Sequence, residues 1–471
     1  MRQASGAAAL PDDNAQSALS PETGRDSQVL SNVLFLQGPV GPFFSRMASD
    51  FAARGFTVYK INFNGGDKFF YRHGKATDYT GTQDQWSEYL STYIKKNSIS
   101  RVYVFGDCRF YHREAKKVVD TLGVELHVFE EGYVRPNFIT LESGGVNGYS
   151  PLMNRSSIVG VTSPTDDSEL PAGRFGFAIP AVLSIVYYLS ARYHRGTFYD
   201  YVHHRPFGCV SEGAIWIRAG LRKLMSRGEG RRVVSVLENR FQNQYFVCPL
   251  QVHCDMQVLV HSPFKTIDQF ICDVLISFAK NAPANRALVF KHHPMDRGYT
   301  NYKPLISEMS KALQIEERVF YVHDVCLPIL LRKAEGSVMI NSTVGMSSFF
   351  HGTPVKALGA AIYDRRGLTF QGSLDDFWKK PGVVDADAVA RFRSFLIRNN
   401  QLNGNLYRRS SDESVAGVVW SGKLLAQHSL SQSVDQRDEL RHRVRLVVGN
   451  NVGAANTEIS FDDSDKISKS A

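Results

Sequence analysis

The sequence predicts an α/β protein made of two Rossmann-like lobes that face each other across a cleft. Three observations predict it. Strand-like and helix-like patterns alternate over 30–150, the same alternation resumes near 244, and an irregular basic segment separates the two. The chain has 471 residues, 43% of them hydrophobic and 21% charged. That is a folding composition, with length enough for two or three cores.

Taken in order, residues 1–29 are small, polar and proline/serine-containing, and predict a disordered arm. NVLFLQGPVGPFFSRMASDFAARGFTVYKINFN then reads strand, Gly/Pro loop, helix, strand; Phe44, Met47, Phe51 and Ala52 share a helix face and Gly55 closes the helix. WSEYLSTYIKKNS and REAKKVVDTLG predict helices, with RVYVFGD and VELHVFEEG as strands. This alternation predicts a parallel, doubly wound sheet. The N-terminal lobe is set at 30–240, including a basic and apolar segment at about 173–235. In it, FGFAIPAVLSIVYYLSARYHRG (175–196) is too short and interrupted for a membrane span of about 20 residues. It is either a buried core helix or a helix lying on a membrane surface. Six Lys/Arg residues in 217–234 suit the second reading, or a solvated helix face. The second lobe, 241–400, runs through QYFVCPLQV, the amphipathic TIDQFICDVLISFAKNA, RALVFKHHP, RVFYVHD and GSVMINS. A closing helix is expected over 401–426 and a disordered tail over 427–471.

The net charge of +9 favours an anionic partner: nucleotide, nucleic acid or membrane surface. Six cysteines (Cys108, Cys209, Cys248, Cys254, Cys272, Cys326) show no CxxC spacing, so neither a zinc site nor a disulfide framework is expected. The N-terminus has no continuous apolar run of the secretory kind, which makes a cytoplasmic location the expectation.

Chemistry concentrates at strand ends, where open α/β sheets bind ligands. FEEG places Glu130 and Glu131 before a glycine, either as a solubility device or as acid/base equipment. KHHP sets Lys291, His292 and His293 at a strand end, suited to a phosphate but equally to a surface basic loop. INSTVG brings Asn341, Ser342 and Thr343 to a helix start, as an ordinary cap or an anion site. PLQVHCDMQV leaves Gln251, His253 and Asp255 after an apolar strand; Asp255 fits a reactive carboxylate or an N-cap. INFNGGDKFFYR joins Asn64, Gly66 and Asp67 to aromatics, as a sugar or acceptor platform or as an Asn-Gly turn over a packed cluster. LQGPVGPFF is not a dinucleotide fingerprint.

Together FLQGPVGPFF…KINFNGGDKFFY, FEEGYVRPNFITLESGGVNG, PLQVHCDMQV, KHHP and INSTVG resemble the capsular polysaccharide biosynthesis/export family of bacterial β-Kdo transferases, its S-type branch above all. The resemblance covers roughly residues 31–380, leaving the ends and much of 155–240 unmatched. It implies a GT-B-like glycosyltransferase that moves Kdo from CMP-Kdo to a phosphatidylglycerol-type lipid or a Kdo-lipid, with retention, in making the lipid linker of capsular polysaccharide. It implies no cofactor, metal or nucleic-acid partner, a place on the anionic inner leaflet of the cytoplasmic membrane, and contact with other capsule proteins. By the resemblance, Glu130–Glu131 is the acidic pair, His293–Pro294 the HP motif and Ser342–Thr343 the Ser/Thr motif. Asp255 is the expected nucleophile and Glu131 the base, with Glu130 as its substitute. Lys291, His292, His293, Gln251, Asn341, Ser342 and Thr343 fall on the donor side; Gln37, Gly38, Asn64, Gly66, Asp67 and Arg135 fall on the acceptor side. Cys254 departs from the family pattern, where a polar residue is expected. Two rivals are a UDP-sugar enzyme and a non-catalytic export component. The first expects a ribose-gripping Glu that GTPVKALGAAIYD does not supply.

Overall fold

The structure is a computed structural model that describes residues 32–154, 178–203 and 209–429. The expected arm at 1–29 and all but three residues of the expected tail lie outside the described residues.

Seven strands form the N-terminal sheet: β1 (Asn32–Phe35), β2 (Thr57–Asn62), β3 (Lys75–Asp78), β4 (Arg101–Phe105), β5 (Glu125–Glu131), β6 (Phe138–Ser143) and β12 (Gln401–Asn403), in the order β12-β6-β5-β4-β1-β2-β3. The first five are parallel, but β6 runs antiparallel to β5 and β12 antiparallel to β6. The expectation of a wholly parallel sheet is corrected on this edge. A two-sided sheet needs two apolar layers. Phe35, Phe43, Met47 and Phe51 fill one; Leu34, Ile61, Trp86 and Val102 fill the other. Each such side chain, fully buried, contributes roughly 1.5–3 kcal/mol.

The C-terminal sheet is parallel throughout: β7 (Tyr245–Pro249), β8 (Ala287–Lys291), β9 (Val319–Val322), β10 (Gly336–Met339) and β11 (Val355–Ala357), ordered β11-β10-β7-β8-β9. Phe270, Val274 and Phe278 of helix Ile267–Asn281 cover one face. The other is covered by Val233 and Leu237 of helix Cys209–Asn239. This helix was assigned by sequence to the first lobe, yet it packs on the second.

The chain returns to the first lobe through helix Ala386–Asn400 and β12. In place of one closing helix over 401–426 there is β12, a loop and the short helix Gly422–Gln427. Leu402, Leu406 and Val418 complete the first lobe's core. A further apolar cluster joins Tyr133, Val134 and Phe138 to Met339, Phe349, Tyr363 and Phe395, so the lobes share a core.

At this junction Glu142 is a buried carboxylate. Tyr133 Oη (2.9 Å), Ser150 Oγ (2.9 Å) and Asn400 Nδ2 (2.6 Å) all donate to it. Burial pushes its pKa up, and those three donors pull the other way. Removing the acceptor strands buried donors, each costing about 1–3 kcal/mol. Glu142→Ala is therefore expected to lower stability by roughly 3 kcal/mol or more, read from the urea midpoint; an unchanged midpoint contradicts this role.

Candidate active site

In the C-terminal lobe, β10, β7 and β8 are neighbours, so the INST, PLQV and KHHP strand ends lie side by side. Gln251 links two of them. Its Nε2 donates to Asn341 Oδ1 (3.0 Å) and to Asp255 Oδ2 (3.1 Å), and Asn341 N donates to Gln251 Oε1 (3.2 Å). Asp255 N-caps helix Met256–His261, its Oδ1 accepting from Gln257 N at 2.9 Å. The cap reading of Asp255 thus holds, and its carboxylate is fixed at the cleft by two donors.

His293 also caps a turn: Met295 N donates to its Nδ1 at 3.2 Å. An accepting Nδ1 leaves the proton on Nε2, making neutral His293 a hydrogen-bond donor. Burial lowers its pKa; Asp296 and Asp255 oppose this, while Lys291 and Arg135 add to it. Arg135 belongs to the other lobe, so its influence marks where the lobes meet.

Two donor-side expectations change. His292 is 1% exposed and bonds Tyr321 Oη at 2.7 Å, inside the lobe. Burial and His323 lower its pKa to about 3. It is a core histidine, packed beside Tyr321 and His323. Lys291 is also buried, donating to the His323 carbonyl at 3.0 Å and the His292 carbonyl at 3.2 Å, with burial lowering its pKa to about 8. Ser342 Oγ accepts from Val344 N at 3.2 Å, and Thr343 precedes the seven-residue helix Val344–Phe350.

Across the cleft, Glu130 and Glu131 are the last two residues of β5. Gly132 follows because a Cβ there would strike the Phe138 carbonyl as the chain turns into β6. Glu131 forms a 2.6 Å ion pair with Arg135 and is half exposed. Glu130 is half-buried and accepts from Glu131 N at 2.9 Å. Burial raises its pKa to about 7, helped by Glu131 and Asp107 and opposed by the Glu131 N–H and Arg109. Of the pair, Glu130 is the member poised to exchange a proton near neutral pH.

Sequence reading missed Asp107, Cys108 and His261, which meet where the lobes touch. Cys108 Sγ lies 3.3 Å from Asp107 Oδ1 and 3.5 Å from His261 Nε2. Burial, with Asp107, holds the thiol protonated. Among the described residues this is the group whose ligand atoms could share a cation, all within 4.8 Å of one another. No local signal announces it, since Cys108 and His261 are 153 positions apart. The 2.5 Å contact of His253 Nδ1 with buried Asp296, beside His293, was equally unseen.

The expected acceptor platform does something else. Tyr187 Oη donates to Asp67 Oδ1 (2.9 Å) and accepts from Asn64 Nδ2 (2.8 Å) and Gln37 Nε2 (3.1 Å). Asn64 Oδ1 caps helix Gly65–Phe70, and a Cβ on Gly66 would lie 2.6 Å from the Tyr187 ring. Gly38 similarly packs against Phe44, and its carbonyl accepts from Arg109 Nη1 at 3.5 Å. Gln37, Asn64, Gly66 and Asp67 therefore anchor helix Ala178–Tyr193 to the sheet. That helix is no core helix: Tyr187 is 4% exposed, whereas Ile185 is 59% and Leu189 58% exposed. Among the described residues no helix is long and apolar enough to cross a membrane.

Strand ends from both lobes thus define a two-lobed α/β protein with a polar site at the lobe junction. The chain belongs to the family described as "Capsule polysaccharide biosynthesis protein", which matches residues 100–407. It is 38% identical over 380 residues to the Escherichia coli "Capsule polysaccharide export protein KpsS", covering 79% of this chain and 96% of the relative. It is 39% identical over 383 residues to the "Capsule polysaccharide modification protein LipB" of Neisseria meningitidis serogroup A, covering 80% and 91%. Among solved structures, "Thermosulfurimonas dismutans KpsC, beta Kdo 2,7 transferase" is 15% identical, covering 77% of this chain and 98% of that one, with a TM-score of 0.37.

The raised pKa of Glu130 has a checkable consequence. The folded state keeps a proton that the unfolded chain releases near pH 4.5, so stability falls as pH rises from about 4.5 to 7. Glu130→Gln removes that slope. Its stability relative to wild type is expected to improve between pH 4 and pH 8 in urea titrations; parallel profiles would refute the assignment.

Proposed function

We propose that this protein is a retaining glycosyltransferase that moves Kdo from CMP-Kdo to a phosphatidylglycerol-type lipid, or to such a lipid already bearing Kdo, in making the lipid linker of capsular polysaccharide. The carrying observation is that each lobe brings a group of the required chemistry to a strand end: Glu130, whose pKa burial raises to about 7, and His293, whose accepting Nδ1 leaves Nε2–H as a donor and which feels Arg135 of the other lobe. Family membership and the relatives' printed names support the capsule setting of this reading, not its donor or acceptor.

In this mechanism His293 Nε2–H, Ser342 and Thr343 hydrogen-bond the departing phosphate of CMP. Lys291 adds positive charge behind it rather than direct contact, since its ammonium is tied to two carbonyls. The anomeric carbon already carries a carboxylate, so the transition state is oxocarbenium-like. Asp255 attacks it as the bond to phosphate breaks, giving a glycosyl ester and CMP. The acceptor hydroxyl then attacks the same carbon, Glu130 takes its proton, and Asp255 leaves as carboxylate. Two inversions give net retention. Glu130 here replaces Glu131, whose ion pair with Arg135 suits it to positioning. The enzyme works at the cytoplasmic face of the inner membrane, where an anionic leaflet attracts a chain of net charge +9.

The printed name of the Escherichia coli relative favours a second reading, a non-catalytic export component that binds the lipid-linked glycan. A CMP-release assay with CMP-Kdo and phosphatidylglycerol separates the two. Lipid-dependent release is expected, falling about 10²–10³-fold in His293→Ala, which loses one donor to the leaving phosphate, and to background in Asp255→Asn, which loses the nucleophile. Absence of release with either phosphatidylglycerol or a Kdo-lipid, in a folded wild type, would favour the export reading.

A further inference from the structure

Helix Ala178–Tyr193 leaves its sheet-facing side on Tyr187 and turns Ile185 and Leu189 outward, toward the start of helix Cys209–Asn239. Between them lies a cavity of about 700 Å³ whose walls include Ile185, Leu189, Phe198, Tyr199 and Trp216. That volume falls in the range of small-ligand sites, roughly 300–1,000 Å³. Two cations, Arg192 and Arg195, also line it. Its wall reaches the candidate active site through Met295, whose amide donates to His293 Nδ1, and Tyr299, whose ring lies 5.4 Å from that of His253.

The surface around the cavity continues the same chemistry. Val182, Ile217, Leu221, Leu224 and Met225, on the same two helices, are all exposed large apolar side chains. Arg218 and Lys223 are exposed on the second helix. Arg222 is not available, because its Nη1 donates to the Arg297 and Thr300 carbonyls at 2.7 Å each. An apolar trough with arginines in its wall, set in an apolar and basic surface, complements a molecule with a hydrocarbon tail and an anionic head.

We infer that this groove binds an acyl chain of an anionic phospholipid, with Arg192 and Arg195 taking its phosphate. The inference deepens the transferase reading by placing the lipid's tail, and rests on that reading for the headgroup's role as acceptor. Entry of the tail beside Met295 and Tyr299 brings a headgroup hydroxyl toward the His293 side of the cleft. A long-chain acceptor is thereby held by surface that no soluble alcohol could use.

The test uses the full chain and vesicles of phosphatidylglycerol bearing a diazirine in one acyl chain, with photolysis followed by peptide mapping. Adducts are expected within 178–203 and on the peptide carrying Trp216. They should fall about tenfold in the Ile185→Glu/Leu189→Glu double variant, and also when phosphatidylcholine replaces phosphatidylglycerol. Both positions are more than half exposed, so the fold is expected to survive; should the double variant not fold, Leu189→Glu alone is read the same way. Adducts elsewhere on the chain, or adducts in the groove that the substitutions leave unchanged, would overturn the inference. The binding readout needs no CMP-Kdo. Groove adducts without sugar transfer would uphold the groove and count against the transferase reading, whereas transfer with adducts elsewhere would do the reverse.

Discussion

The geometry of the site depends on a buried carboxylate, Glu142, whose partners all come from this chain. Glu142 gathers Tyr133 from the turn after the acidic pair, Ser150 from the following loop and Asn400 from the returning helix. A charge so placed is costly unless its lone pairs are filled, and three donors fill them. The arrangement fixes the β5–β6 turn against the chain that comes back from the second lobe. That junction and the apolar core shared by the two lobes hold the end of β5, where Glu130 sits, against the second lobe.

Much of this was legible in the sequence because the elements that carry it are local and periodic. The apolar runs of β1, β4, β5, β7 and β8 and the amphipathic helices between them announce themselves. The missed elements are those whose stability is non-local. β12 has three residues and exists because β6 offers an edge some 260 positions earlier in the chain. β3, at KATD, has no apolar pattern and is held by pairing with β2. The long helix Cys209–Asn239 was placed with the wrong lobe because its burial depends on Val247 and Val289, which its own pattern cannot show.

The site was legible to the same depth. Strand ends identified Asp255, His293, Asn341 and the acidic pair, because a polar cluster after an apolar strand needs a reason. Which of two adjacent polar residues faces the cleft was not legible. His292 and His293 differ by one step along the chain, yet the first packs into the core on Tyr321 and the second caps the turn that follows. Glu130 and Glu131 divide likewise, one half-buried with burial pushing its pKa up to about 7, the other ion-paired with Arg135. The Asn64–Asp67 segment looked like a sugar platform because small and polar residues serve close packing as well as ligand binding. Only the position of Tyr187, 120 residues beyond Asp67, separates those uses.

The most direct test of the account is to look for the covalent sugar it requires. Glu130→Gln protein mixed with CMP-Kdo, without acceptor, should release one equivalent of CMP and gain the mass of one Kdo, mapping to the peptide that contains Asp255. Release of CMP with no mass gain, or a sugar attached to a carboxylate of the other lobe, would contradict it.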